Sequence, residues 1–198
     1  MISARLKLLA RHRATALDFE TTGSVDGYPV EPWQIGMVRI NRRRVSAGEC
    51  FESLLRVGER PFNPRAPGRH AVLRAQIAAA PTVYDLWPEL QVWVRGCPMA
   101  AHNVGTERGV LRRAAPLHRI GPWVDTLALT RHAYPRLESK ALEDVTRELG
   151  LETYVRSLCP DREPHDALYD AFACAALLEH FLSLPGWERV TVEELSGR

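Results

Sequence analysis

Three apolar runs come first, at 14–21, Trp33–Ile40 and Val45–Leu55, joined by short stretches rich in Gly, Pro and Arg. Parallel strands need a connection of about a dozen residues or more, usually helical, so runs joined this closely pair as an antiparallel meander. Residues 59–70, ERPFNPRAPGRH, then carry three prolines and read as a loop. Beyond it the pattern changes. Apolar residues at helical spacing occupy 71–79 and 82–95, with Pro88 either near a helix start or at a kink. Pro98–His102 reads as a fourth strand, Thr106–Ala115 as a helix, Trp123–Thr126 as a fifth strand, and 139–149 as a helix closed by Gly150. The last strong element runs from Asp166 to Leu184, where Leu168, Ala171, Phe172, Ala175, Leu178 and Leu182 recur three or four apart, and Pro185-Gly186 end it. Strands first, then strands alternating with helices, predict an α/β domain around a mixed sheet.

A chain of 198 residues, 45% hydrophobic, is one domain long and can bury a sizeable core. We expect a single unit over 1–198, with its core at about 14–184 and a short extension over 185–198 in which Trp187 packs on the surface. The formal charge of +2 argues for no partner by itself. Arg5, Lys7, Arg11 and Arg13, the Arg42-Arg43-Arg44 run at a turn, and Arg112-Arg113 on a helix read as solvated surface unless they converge on a cleft. Cysteines 50, 97, 159 and 174 have neither zinc-site spacing nor the density of a disulfide scaffold, and read as reduced thiols. The opening MISARLKLLARHRATALDFE is basic, like a transit peptide, but its apolar run is interrupted by charges, and cleavage would endanger the first strand. No segment approaches the roughly 20 apolar residues of a membrane span, so the expectation is a cytoplasmic protein with no membrane partner.

DFETTG, 18–23, places two carboxylates at the end of the first apolar run. Side chains two apart leave one face of a strand, so Asp18 and Glu20 project together while Phe19 enters the core. Such a pair repels unless a cation neutralises it, and hard divalent ions such as Mg²⁺ take oxygen ligands of this kind. A strand-end turn former beside an exposed glutamate gives the same short pattern. AHNVGTE, 101–107, has the form of a strand-to-helix turn with Thr106 as cap. In HDALYD, 165–170, the outer residues would differ by about 140° on a regular helix. His165 is therefore expected just ahead of the helix, with Asp166 near its cap and Asp170 pointing inward one turn later.

Taken in order, DFETTG, AHNVGTE and HDALYD resemble the three motifs of the DEDDh-type 3′→5′ exonucleases, the family of the proofreading subunit of bacterial replicative polymerases. HAVLRAQIAAAPTVYDLWPEL from His70 and VDTLALTRHAYPRLESKALEDVTRELGLE from Val124 look like the segments that precede and follow the second motif, so the resemblance covers about 14–184. It implies a ribonuclease H-like fold, a five-stranded mixed sheet of three antiparallel strands and two parallel to the first, flanked by helices. It makes Asp18, Glu20 and Asp170 the carboxylates that hold two divalent ions, Mg²⁺ or Mn²⁺, and His165 the general base that takes a proton from the attacking water. Thr21, Thr22 and Gly23, with His102 and Asn103, would lie beside substrate. His70 matches a substrate-contacting histidine, although Ala71 stands where a glycine is expected; a loop histidine in water is the other reading.

One departure matters. The second motif of the family ends in Phe-Asp, and here it is Thr106-Glu107. The carboxylate is kept with one more methylene, so Glu107 stays among the catalytic and metal-site residues, binding metal-coordinated water from further out, which implies an active enzyme that is slower or selective for Mn²⁺. The function implied is release of nucleoside 5′-monophosphates from the 3′ ends of single-stranded DNA or RNA, alone, as a homodimer or joined to a polymerase subunit. Two alternatives stand beside it: a catalytically weakened nucleic-acid-binding or polymerase-associated module, and an RNA-trimming ribonuclease of the same fold.

Overall fold

The computed structural model describes residues 13–186. Its strands are β1 (Arg13–Thr21), β2 (Pro32–Asn41), β3 (Arg44–Leu54), β4 (Met99–Ala101) and β5 (Trp123–Asp125). They form one sheet in the order β3-β2-β1-β4-β5. β1, β2 and β3 pair antiparallel, while β4 runs parallel to β1 and β5 parallel to β4. This is the predicted five-stranded mixed sheet of three antiparallel and two parallel strands. The hairpin between β2 and β3 turns on Arg42 and Arg43, both at positive φ, where the predicted arginine turn lies.

Seven helices flank the sheet among the described residues: α1 (Arg74–Ala79), α2 (Trp87–Val94), α3 (Gly105–Ala114), α4 (Thr126–Ala133), α5 (Leu142–Glu148), α6 (Glu152–Leu158) and α7 (Ala167–Ser183). Alternation along β1 sorts the two cores. Ala14 and Ala16 face α7, whereas Leu17 and Phe19 face Leu86, Leu90 and Val94 around α2 and Val110 and Leu111 of α3. β2 is buried along nearly its whole length because helices cover both faces.

Several boundaries depart from the sequence reading. Residues 71–73 form a turn, so the first helix begins at Arg74. The 82–95 pattern becomes helical only at Trp87, because Asp85 accepts from the Thr82 backbone and hydroxyl and holds a turn there. Pro88 lies in the first turn of α2, where its missing N–H is no loss. α4 and α6, of 8 and 7 residues, are additions to the elements expected from the sequence. Gly150 closes α5 as expected, at φ 69°, with Leu151 N–H bonded to Thr146 carbonyl at 2.8 Å.

α7 corrects the expectation of a single apolar stripe. Thirteen of its seventeen residues are buried, because it lies between the sheet on one side and α5 and α6 on the other. Its close seat on the sheet depends on Gly36 in β2, where a Cβ would stand 2.1 Å from Ala167 carbonyl oxygen. All four cysteines are free thiols. No described helix is long and apolar enough to cross a membrane. The basic residues Arg5, Lys7 and Arg11 and the tail with Trp187 lie outside the described residues.

Replacing Gly36 by alanine drives a methyl group into rigid helix backbone, and overpacking of this kind costs about 1–3 kcal/mol. Chemical denaturation of Gly36→Ala is expected to show a loss at the upper end of that range; an unchanged midpoint would contradict the tight seating of α7.

Candidate active site

In the β1–β2 register Asp18 stands opposite Gly36 and Glu20 opposite Gln34. Both acids therefore emerge on the face that receives the start of α7. Glu20 is 7% exposed, which overturns the reading of an exposed glutamate beside a turn, and Asp18 lies within the paired strand rather than at a turn. Phe19 is buried on the other face, as alternation requires.

α7 begins as expected. Asp166 is its N-cap, with Oδ1 accepting from Leu168 N–H at 3.1 Å and Tyr169 N–H at 3.4 Å. Its other oxygen accepts from Gln34 Nε2 at 3.0 Å and Arg162 at 2.9 Å. His165 precedes the cap at φ 66°, a conformation uncommon outside glycine. From there its backbone N–H donates to Asp170 Oδ2 at 3.1 Å. This left-handed step defeats the 140° separation that a regular helix would impose. Ligand atoms of Glu20, His165 and Asp170 all lie within 4.8 Å of one another. The His165 ring is half exposed, with Nε2 3.9 Å from Glu143 Oε2.

Glu107 completes the cluster from the first turn of α3. It is 4% exposed, and its Oε2 is buried without a hydrogen-bond partner. Thr106 is exposed and does not cap the helix; Val104 holds the cap position and no side chain satisfies it. Burial pushes the Asp18 carboxyl well above its usual range, and Asp170, Glu107 and Glu20 push it further. Burial, then Asp170 and Asp166, lift Glu20 to about 8. Burial lifts Glu107 to about 7. Asp170 also reaches about 7, again chiefly through burial, against the opposing pull of the His165 N–H.

The remaining predicted residues lie at or just beyond the ends of β1 and β4 and in the proline-rich loop. Thr21 carbonyl accepts from Trp33 Nε1 at 3.1 Å, and its hydroxyl accepts from Gly23 N–H at 3.4 Å. Thr22 is 1% exposed and its hydroxyl accepts from Glu31 N–H at 3.1 Å. Gly23 sits at φ 69° under the proline-rich loop, where a Cβ would lie 2.9 Å from Asn63 Cβ. His70 is 6% exposed, stacked on Phe62 with Nε2 3.0 Å from Ala66 carbonyl oxygen, so it is not a loop histidine in water. His102 is bound through both ring nitrogens, to Thr126 hydroxyl at 3.0 Å and Lys140 carbonyl at 2.7 Å. Asn103, exposed and at φ 77°, is fixed by its N–H on Asp125, whose carboxylate also caps α4.

Sequence reasoning missed Gln34, Asp125 and Gly68. A Cβ on Gly68 would stand 2.9 Å from His165 carbonyl oxygen and 3.5 Å from Glu20 Oε2. Asp125 had a local signal as a polar cap ahead of an apolar run; the other two are recognisable only through partners distant in the chain.

The family model described as "Exonuclease" matches residues 15–178. A DNA polymerase III subunit epsilon-like protein of Rhodobacter capsulatus is 32% identical over 172 residues, 84% of this chain and 23% of the relative. Exodeoxyribonuclease 10 of Escherichia coli is 29% identical over 143 residues, 71% of this chain and 58% of the relative. The chain thus spans less than two thirds of the length of either. Among solved structures, exonuclease X in complex with 5′ overhanging duplex DNA superposes with a TM-score of 0.67 at 24% identity, covering 93% of this chain and 98% of that one. The nuclease domain of 3′hExo, a DEDDh family member bound to rAMP, gives 0.62 at 17% identity over 89% and 94%. With its ribonuclease H-like sheet and its match along most of its length, the chain belongs to the exonuclease family.

Proposed function

We propose that the protein is a metal-dependent 3′→5′ exonuclease that releases nucleoside 5′-monophosphates from single-stranded ends, with His165 as the general base. The observation that carries this reading is the meeting of Glu20, His165 and Asp170 atoms within 4.8 Å beside two further acids, half-buried Asp18 and buried Glu107. The residues fit divalent cations. Four carboxyls with raised proton affinity and a buried, partnerless Glu107 oxygen form a site short of positive charge, and hard ions such as Mg²⁺ or Mn²⁺ prefer such oxygens. Asp18, Glu20 and Asp170 would hold two ions, with Glu107 behind them. When bound, the ions supply electrostatic stabilisation of the attacking and leaving oxygens of an in-line displacement at phosphorus.

The chain's own groups supply the rest. His165 accepts a proton from the attacking water through its exposed ring, whose Nε2 stands 3.9 Å from Glu143 Oε2. Half-buried Thr21, next to Glu20 in the chain, and exposed Asn103 are the proposed contacts to the terminal nucleotide. Thr22, Gly23, His70 and His102 act one layer back, holding the loops that border it. DNA is the proposed substrate because relatives named for DNA polymerase III and exodeoxyribonuclease share most of this chain. The same names support assembly with a polymerase.

The inward placement of Glu107 speaks against a module that has lost activity. Its carboxylate is buried among the other acids rather than turned to solvent.

On a 5′-labelled oligonucleotide with Mn²⁺, wild-type protein is expected to give stepwise shortening. Asp18→Asn and His165→Ala should each lose about a hundredfold or more; wild-type rates in both would refute the assignment. A matched RNA strand in the same assay separates the RNA-trimming alternative. Glu107→Gln should lose at least about tenfold, while Glu107→Asp keeps the carboxylate and shifts the Mg²⁺ to Mn²⁺ rate ratio, since a displacement of about 1 Å at such sites can cost on the order of a hundredfold. Equal rates for both variants and wild type would remove Glu107 from the mechanism.

The raised carboxyls also set a pH dependence. Their unfolded values lie near 4, so between about pH 4 and pH 8 the folded state holds more protons than the unfolded state and stability falls as pH rises. In chelator the melting temperature should drop from pH 5.5 to pH 8.5, and Mn²⁺ at pH 8.5 should raise it. A flat profile with no response to the ion would contradict the charge-deficient site.

A further inference from the structure

We propose that Gln34 and Gly68 are positioning residues for His165, holding its turn against the strand that carries Glu20. The proposal rests on His165 being the proton acceptor of the hydrolysis. Gln34 is 4% exposed and uses both ends of its amide on the start of α7. Nε2 donates to Asp166 Oδ2 at 3.0 Å, and Oε1 accepts from Ala167 N–H at 3.3 Å. Those are the two residues that follow His165, and Gln34 is itself the cross-strand partner of Glu20. One side chain therefore ties the histidine's turn to the register of the β1 acids. An amide suits this post because it donates to a carboxylate and accepts from a backbone N–H at once, which neither a carboxylate nor an apolar side chain can do.

Gly68 bounds the same turn from the proline-rich loop. It sits at φ 88°, and a Cβ there would press to 2.9 Å on His165 carbonyl oxygen and 3.0 Å on the Trp33 ring. His165 itself is at φ 66°, so its conformation needs such support from both sides to persist. Arg162 adds a third tie, reaching Asp166 at 2.9 Å and Glu52 of β3 at 2.7 Å. With Asp166 occupied by these bonds and by its capping role, its carboxylate serves to locate the turn.

The test is a double-mutant cycle on the full chain with wild type, Gln34→Leu, His165→Ala and the combined variant. Rates and KM are read on a 5′-labelled oligonucleotide, and Mn²⁺ affinity by calorimetry. Gln34→Leu is expected to lower kcat by about tenfold or more, leave KM and Mn²⁺ affinity nearly unchanged, and cost nothing further once His165 is alanine. A loss carried in full into the His165→Ala background, or a wild-type kcat in Gln34→Leu, overturns the proposal. Should His165→Ala keep the wild-type rate, the general-base reading has failed and the proposal with it; an impaired His165→Ala beside an intact Gln34→Leu sinks the proposal alone. If Gln34→Leu does not fold, Gly68→Ala, on an exposed loop position, takes its place in the same cycle with the same outcomes.

Discussion

The approach of α7 to β2 at Gly36 is the contact on which the rest depends. Asp18 and Glu20 belong to β1, two strands from any helix in sequence, and His165 and Asp170 come about 150 residues later. Only the seating of α7 flat on the sheet makes these two pairs neighbours. That seating needs a residue without a side chain where Ala167 carbonyl meets the strand, and it needs small residues along the helix, which Ala171, Ala173, Ala175 and Ala176 provide. The fold is thus built around a close backbone approach, and the acids are its consequence.

What local patterns encode was legible. The two-residue spacing of Asp18 and Glu20 gives a common face on a strand, and the buried Phe19 between them confirms the alternation. The five-residue spacing of His165 and Asp170 excluded a regular helix through both, and the left-handed His165 ahead of the Asp166 cap is how the chain solves it. The antiparallel meander followed from connection length, and the parallel strands from the helices between them. Family resemblance then joined motifs whose individual signals were weak.

What failed to show was decided by partners far away. Nothing around His70 announces that Phe62 and Trp33 enclose it. Nothing around His102 announces that Thr126 and Lys140 take both its nitrogens. Thr106 has the chemistry of a cap, yet the helix starts one residue earlier and leaves it exposed. α4 and α6 are short helices held by packing against α7 and β4 rather than by their own periodicity. Gln34 reads as a polar residue in a buried strand, an apparent error of pattern that becomes intelligible only once Asp166 and Ala167 arrive.

Electrostatics decides how such a cluster of acids holds together. Glu107 and Asp170 each lie in the first turn of a helix, where the unpaired N–H groups and the helix dipole favour negative charge. Both helix starts therefore point partial positive charge at the same cluster. This is not enough: burial, with repulsion from neighbouring acids, still lifts Glu20 to about 8 and Glu107 and Asp170 to about 7. The residual negative potential supports the proposed binding of divalent cations at this centre. It also sets a limit on the surroundings, since every further charge near the cluster shifts the balance. Asp166 is tolerated there because Arg162, Gln34 and two backbone N–H groups already satisfy it, and the neutral Gln34 can stand opposite Glu20 where a third carboxylate would add repulsion.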